Sequence, residues 1–172
     1  MSRYRRPAAA AGFAISLAGV AVVASGCSLA APTPTVTPYS ASDGTNAQLT
    51  SPGGGTVKFR NFLLVSEAKG KPGVLVGAVT TDSADPVEIR LQVLDAAGQN
   101  PIGQTDLTAQ PSALAQIGPG GTVSLQISSV PSGPGTVLRV HAATPAGGTD
   151  FNLPVLAPTN AYASITASTS SS

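Results

Sequence analysis

Val87, Ile89, Leu91 and Val93 alternate with Glu88, Arg90 and Gln92. A period of two places the four aliphatic residues on one face of an extended strand, whereas a helix would scatter them around its axis. Comparable runs recur along the chain, separated by Gly- and Pro-rich punctuation. Thr56–Val65 carries Val57 and Phe59 on one side and then shifts phase near Asn61 to Phe62 and Leu64, which predicts a bulge. Lys69–Gly73 reads as a turn, and Val74–Thr81 is apolar on both faces and expected to be central. Asp82–Pro86 turns the chain into the Val87 strand, and Gly98–Pro101 ends it. Gly103–Thr108 and Leu114–Ile117 read as short strands. After Gly118–Gly121, the segment Thr122–Val130 alternates Val123, Leu125 and Ile127 with Ser124, Gln126 and Ser128. Beyond Pro131–Gly135, Leu138, Val140 and Ala142 oppose Arg139 and His141. Gly147-Gly148 precedes a last strand with Phe151, Leu153 and Val155 inward, and Pro154 predicts that this strand lies at a sheet edge. Seven or eight short strands without an amphipathic helix predict an all-β domain, an immunoglobulin-like or cupredoxin-like β-sandwich. A Cys…Trp…Cys pattern is missing, so an antibody-type domain is excluded.

Cysteine usage sets where such a domain would live. Cys27 is the only cysteine, and it closes the run Val23-Ala24-Ser25-Gly26-Cys27. Ahead of it lie an arginine-bearing start (Arg3, Arg5, Arg6) and an uncharged apolar stretch, Ala8–Ala24, the regions of an export signal. Residues 1–26 are therefore read as a signal, cleaved between Gly26 and Cys27, with the Cys27 thiol taking a lipid. An uncleaved membrane helix is a second reading, since the stretch sits at the short end of the roughly 17–25 residues a span needs. Ordinary cleavage after Ala24 or Ala30 is a third. Pro7 and Ala8 follow Arg5-Arg6 where a twin-arginine signal wants apolar residues, which favours the general export route.

The signal also accounts for the chain's apparent basicity. Three of the nine basic residues belong to it, leaving six against eight acidic ones, a net of −2. No basic patch remains for nucleic acid. With Cys27 acylated, no thiol is left for disulfides, so the fold must rest on core burial. Residues 27–47 read as anchor and stalk. Ala31-Pro32-Thr33-Pro34-Thr35-Val36-Thr37-Pro38 favours extended polyproline II backbone, with a reach on the order of 45 Å. Its threonines suit O-glycosylation, and a bare spacer is the equal alternative. Residues 48–157 form the expected domain, and 158–172 a Ser/Thr-rich tail that composition assigns to disorder.

The order of these elements resembles small lipoproteins of high-GC actinobacteria. Ser25-Gly26-Cys27 is similar to their lipid-attachment motif, with Ala24 where leucine is commonest. Pro38-Tyr39-Ser40-Ala41-Ser42-Asp43-Gly44-Thr45-Asn46-Ala47 resembles the entry to their domain. Leu75-Val76-Gly77-Ala78-Val79-Thr80-Thr81-Asp82-Ser83-Ala84-Asp85-Pro86-Val87 resembles the strand-turn-strand after it. The resemblance implies an extracytoplasmic β-sandwich anchored to the cell membrane. Some members of that group look like periplasmic copper chaperones, which bind copper through methionine and histidine. Here the only methionine is Met1 and the only histidine His141, so the resemblance brings location and fold but no metal site.

The remaining residues supply little catalytic equipment. His141 is the single candidate base, and no G-x-S-x-G elbow accompanies it. Asp82, Asp85 and Glu88 lack the spacing of a calcium loop and read as turn-capping carboxylates. Gly53-Gly54-Gly55 and Gly118–Gly121 precede strands, so neither forms a phosphate loop. No tryptophan is present to build a sugar cleft. The leading reading is a non-enzymatic, lipid-anchored envelope module with a protein partner and no cofactor. Alternatives are a carrier of an apolar ligand and a vestigial copper-chaperone-like protein.

Overall fold

A computed structural model describes residues 42–165 and 167. Its strands are β1 (Thr45–Thr50), β2 (Thr56–Ser66), β3 (Gly73–Thr81), β4 (Val87–Leu94), β5 (Pro101–Ala109), β6 (Ala115–Ile117), β7 (Gln126–Ile127), β8 (Val137–Thr144) and β9 (Gly147–Leu156). The one helical element among the described residues is a 3-10 turn at Asn160–Tyr162. The chain is all-β, as its periodicity predicts. The nine strands form one nearly closed sheet in the order β5-β4-β8-β9-β2-β3-β6, with β1 paired to β2 and β7 to β3.

β2 organises one half of this sheet. β3 runs antiparallel along one of its edges, and β1 takes the first part of the other. The register with β3 shifts between Arg60 and Leu63, where Asn61 adopts φ 52°. Asparagine tolerates this left-handed geometry better than most residues, because its short side chain bonds locally. The Asn61 Oδ1 accepts from the Gly44 amide (2.9 Å), and the Asn61 amide donates to Asn46 Oδ1 (2.8 Å). This is the bulge expected from the phase shift, and it turns both Phe59 and Phe62 into the core. Their rings lie 5.6 Å apart, and Phe151 of β9 completes the triad at 5.5 and 5.4 Å. Such tilted and edge-on pairs add to the burial of their area. Gly77 of β3 leaves room for this packing: a Cβ there would lie 2.7 Å from the Phe62 ring.

β4 organises the other half, between β5 and β8. β9 links the halves. It pairs antiparallel with β8 along its length, and its last residues run parallel to β2 through Leu64↔Val155 and Val65↔Leu156. The ring is left incomplete between β5 and β6–β7, where Ile127 packs over Gly103. One continuous core, from Val57 to Val155, fills the interior.

Several expectations differ in detail. Nine strands form, against seven or eight, because β1 has only Ala47 and Leu49 as an apolar signal and is held mainly by its pairing with β2. β1 takes up Thr45–Ala47 from the end of the expected stalk. β9 is internal, between β8 and β2, so Pro154 does not mark an edge. Val155 makes the backbone bonds instead, donating to Thr136 and accepting from Gly135, and pairing with β2 begins only beyond the proline. The Thr122–Val130 segment contains just the two-residue β7. The expected tail contributes the Asn160–Tyr162 turn, whose Tyr162 hydroxyl donates to Asp43 (2.9 Å).

Candidate functional site

The outer face of β5-β4-β8-β9 carries ordered rows of polar side chains. Register places Gln104, Gln92, His141 and Asp150 in one row across the strands. Asp106, Arg90 and Ala143 form the next row, and Thr108 and Glu88 follow. Alternation brings these residues outward because their neighbours Ile89, Leu91, Leu107, Val140 and Ala142 are in the core.

His141 is the sole histidine available for acid–base work. Its Nδ1 lies 2.6 Å from Asp150 Oδ1 on β9, with both side chains well exposed. The ring packs close to Gly148, where an added Cβ would come within 2.8 Å of Cε1 and 3.0 Å of Nε2. Asp150 thus orients the imidazole as a second residue orients a catalytic base. A nucleophile is the missing element: among the described residues, no serine, threonine or cysteine side chain hydrogen-bonds to His141.

Arg90 and Asp106 form a two-point pair, Nε to Oδ1 at 2.8 Å and Nη2 to Oδ2 at 3.5 Å. Hydrogen bonding to Asp106, then its charge, raises the guanidinium further above its ordinary value. The pair is largely exposed, so it orders the surface more than it stabilises the fold. It lines a cavity of about 690 Å³ together with Val123 and Ala143–Pro145.

Of the three acidic residues expected to cap turns, Asp82 does so, whereas Glu88 lies exposed within β4. Asp82 accepts from the Thr56 amide and pairs with Lys58 Nζ at 2.9 Å. Lys58, then the Thr56 amide, holds its carboxyl below the ordinary value. Ser83 Oγ donates to the Gly54 carbonyl (3.0 Å), fastening the β3–β4 turn to the glycine loop before β2. Gly54 and Gly55 there have φ of 85° and 81°, a geometry that glycine permits. At the opposite end Asp95 accepts from the Gln99 amide and Asn100 Nδ2, which lower its pKa and close the β4–β5 turn. Among the described residues, no three His, Cys, Asp or Glu side chains converge to hold a metal.

Gly26 and Cys27, the expected cleavage and lipidation positions, lie outside the described residues. The polar rows were not foreseen, because they depend on strand register between β4, β5, β8 and β9. Their only signal was that Arg90, Asp106, His141 and Asp150 all occupy polar positions of alternating runs.

No family model matches the chain, and no curated protein does. Among solved structures, a Pseudomonas fluorescens alkylpurine DNA glycosylase bound to DNA containing an abasic site analogue aligns at TM-score 0.29 and 10% identity. The alignment covers 58% of this chain and 30% of the glycosylase, and at that score it carries no argument.

Proposed function

We propose that this chain is a lipid-anchored, non-enzymatic module of the cell envelope. The carrying observation is the single cysteine, Cys27, at the end of an arginine-led apolar segment. Cleavage between Gly26 and Cys27 and acylation of the thiol tether the chain to the extracytoplasmic face of the membrane. The Pro/Thr-rich stretch after it spaces the β-domain from the headgroups, where it meets an envelope protein partner. The non-enzymatic reading rests on residue supply: one histidine, no thiol beyond Cys27, and a His141–Asp150 pair to which no nucleophile among the described residues is bonded.

We assign the domain to the immunoglobulin-like or cupredoxin-like sandwiches. Support comes from its two strand groups, β1-β2-β3-β6/β7 and β5-β4-β8-β9, which share one core. In such a sandwich the layers pack about 10 Å apart. A packed centre of Phe59, Phe62 and Phe151 favours this module over an apolar-ligand carrier.

Cys27→Ser is the direct test of the anchor. The variant should leave the membrane fraction or accumulate as uncleaved precursor, and the native protein should carry an acyl mass on its N-terminal cysteine. Fully processed Cys27→Ser protein in the membrane fraction would refute the anchor.

A further inference from the structure

β1 is the first strand after the N-terminal segment, and it has a single ladder partner. It pairs with β2 from Thr45↔Phe62 to Thr50↔Thr56. Its residues are only half-buried or exposed, and its core contribution is Ala47 and Leu49. Strands with one partner and little buried area are the ones that open locally, well below the cost of global unfolding. A second attachment for β1 comes from the far end of the chain.

After β9 the chain turns through Asn160–Tyr162, and Pro158, Ile165 and Ala167 line a cleft of about 280 Å³ with Val65, Ser66, Lys71 and Pro72. Between those points, Tyr162 Oη donates to Asp43 Oδ2 at 2.9 Å. Asp43 adjoins Gly44, whose amide is held by Asn61 Oδ1, and Asn61 in turn donates its amide to Asn46. Gly44 has no room for a side chain, since a Cβ would lie 2.5 Å from the Asn61 carbonyl carbon. The β2 bulge, the entry to β1 and the C-terminal turn therefore meet at one node. Burial first, then the bond to Asp43, raises the Tyr162 pKa.

We propose that Pro158–Ile165 is a strap that secures β1 in the sheet, with the Tyr162–Asp43 hydrogen bond as its clasp. The strap ties the two ends of the domain together, so that β1, the strand nearest the N-terminal segment, is held by more than its ladder with β2. When the clasp is open, β1 frays, and the edge of β2 from Val57 to Phe62 becomes available to another strand.

Amide hydrogen exchange on the full chain tests this region by region. Tyr162→Phe should accelerate exchange in Thr45–Thr50 by roughly three- to tenfold, the effect of losing one hydrogen bond. Exchange in β4, β5 and β8 should stay unchanged. Asp43→Ala should reproduce the effect, and Asp43→Asn, which keeps a carbonyl acceptor, should restore most of the protection. Combining Tyr162→Phe with Asp43→Ala should add nothing beyond either alone. Unchanged β1 exchange in both single variants would overturn the proposal. Equal acceleration in every strand would overturn it as well, because the turn would then support the whole fold and not β1.

Discussion

β4 and the Thr122–Val130 segment show the same alternation and adopt different structures. Val87, Ile89, Leu91 and Val93 lie in a full strand with β5 on one edge and β8 on the other. Val123, Leu125 and Ile127 lie in a chain that forms regular ladder pairs only at Gln126–Ile127, against Val74 and Gly73. Burial is similar apart from the half-buried Val123, with Leu91 fully buried and Leu125 and Ile127 at 6% and 1% exposed. The difference lies in available partners. β6 already occupies Gly77–Val79 of β3, so the later segment reaches the remaining edge through isolated bonds. Leu75 donates to the Leu125 carbonyl, and Val130 donates to Lys71. Alternation thus reports which side chains are buried, and the ladder depends on whether a strand edge is free to receive them.

Truncation in both regions separates burial from ladder. Leu91→Ala should cost about 2–5 kcal/mol, from lost transfer plus the cavity left behind. Ile127→Ala, in a two-residue strand, should fall within the same range of about 2–5 kcal/mol, because its side chain is equally enclosed. Denaturant unfolding measures both. A silent Ile127→Ala beside a costly Leu91→Ala would mean that the ladder, not burial, fixes the contribution. A smaller loss is expected at Gly77→Ala, about 1–3 kcal/mol, since the new Cβ must displace the Phe62 ring. Its cost tests whether the β2 bulge holds that ring rigidly.

This contrast also explains what was legible in the sequence. The all-β class, β4 and the bulge at Asn61 followed from periodicity and its phase, which local residues determine. β1 stayed hidden because Thr45–Thr50 carries almost no apolar signal and forms through its pairing with β2. Pro154 misled because the rule that places proline at edges assumes that every ladder position needs its donor. Here Val155 makes the bonds. The polar rows and the Tyr162–Asp43 clasp depend on register and on contacts between residues far apart in sequence. Residue types alone carry no such information.

Acid titration gives the smallest effect and the finest distinction between the two regions. The turn into β4 is fastened by Asp82, whereas Thr122–Val130 contains no ionisable side chain. The Asp82 carboxyl is held below its ordinary value, so the folded state binds its proton less readily than the unfolded chain does. Its stabilisation is therefore fully present above the ordinary aspartate pKa, near 3.9, and is lost as pH falls through the lowered folded value. Asp82 is exposed, which keeps the effect modest and sensitive to salt. Exchange measured at falling pH, corrected for intrinsic rates, should show protection declining at the Thr56 amide, which Asp82 accepts, before the Leu75 amide on Leu125 changes. Asp82→Asn should remove that acid dependence while leaving Leu75 as it was. If the Thr56 and Leu75 amides lose protection together in both proteins, the turn and the later segment open as one unit, and the contrast between them does not extend to their stability.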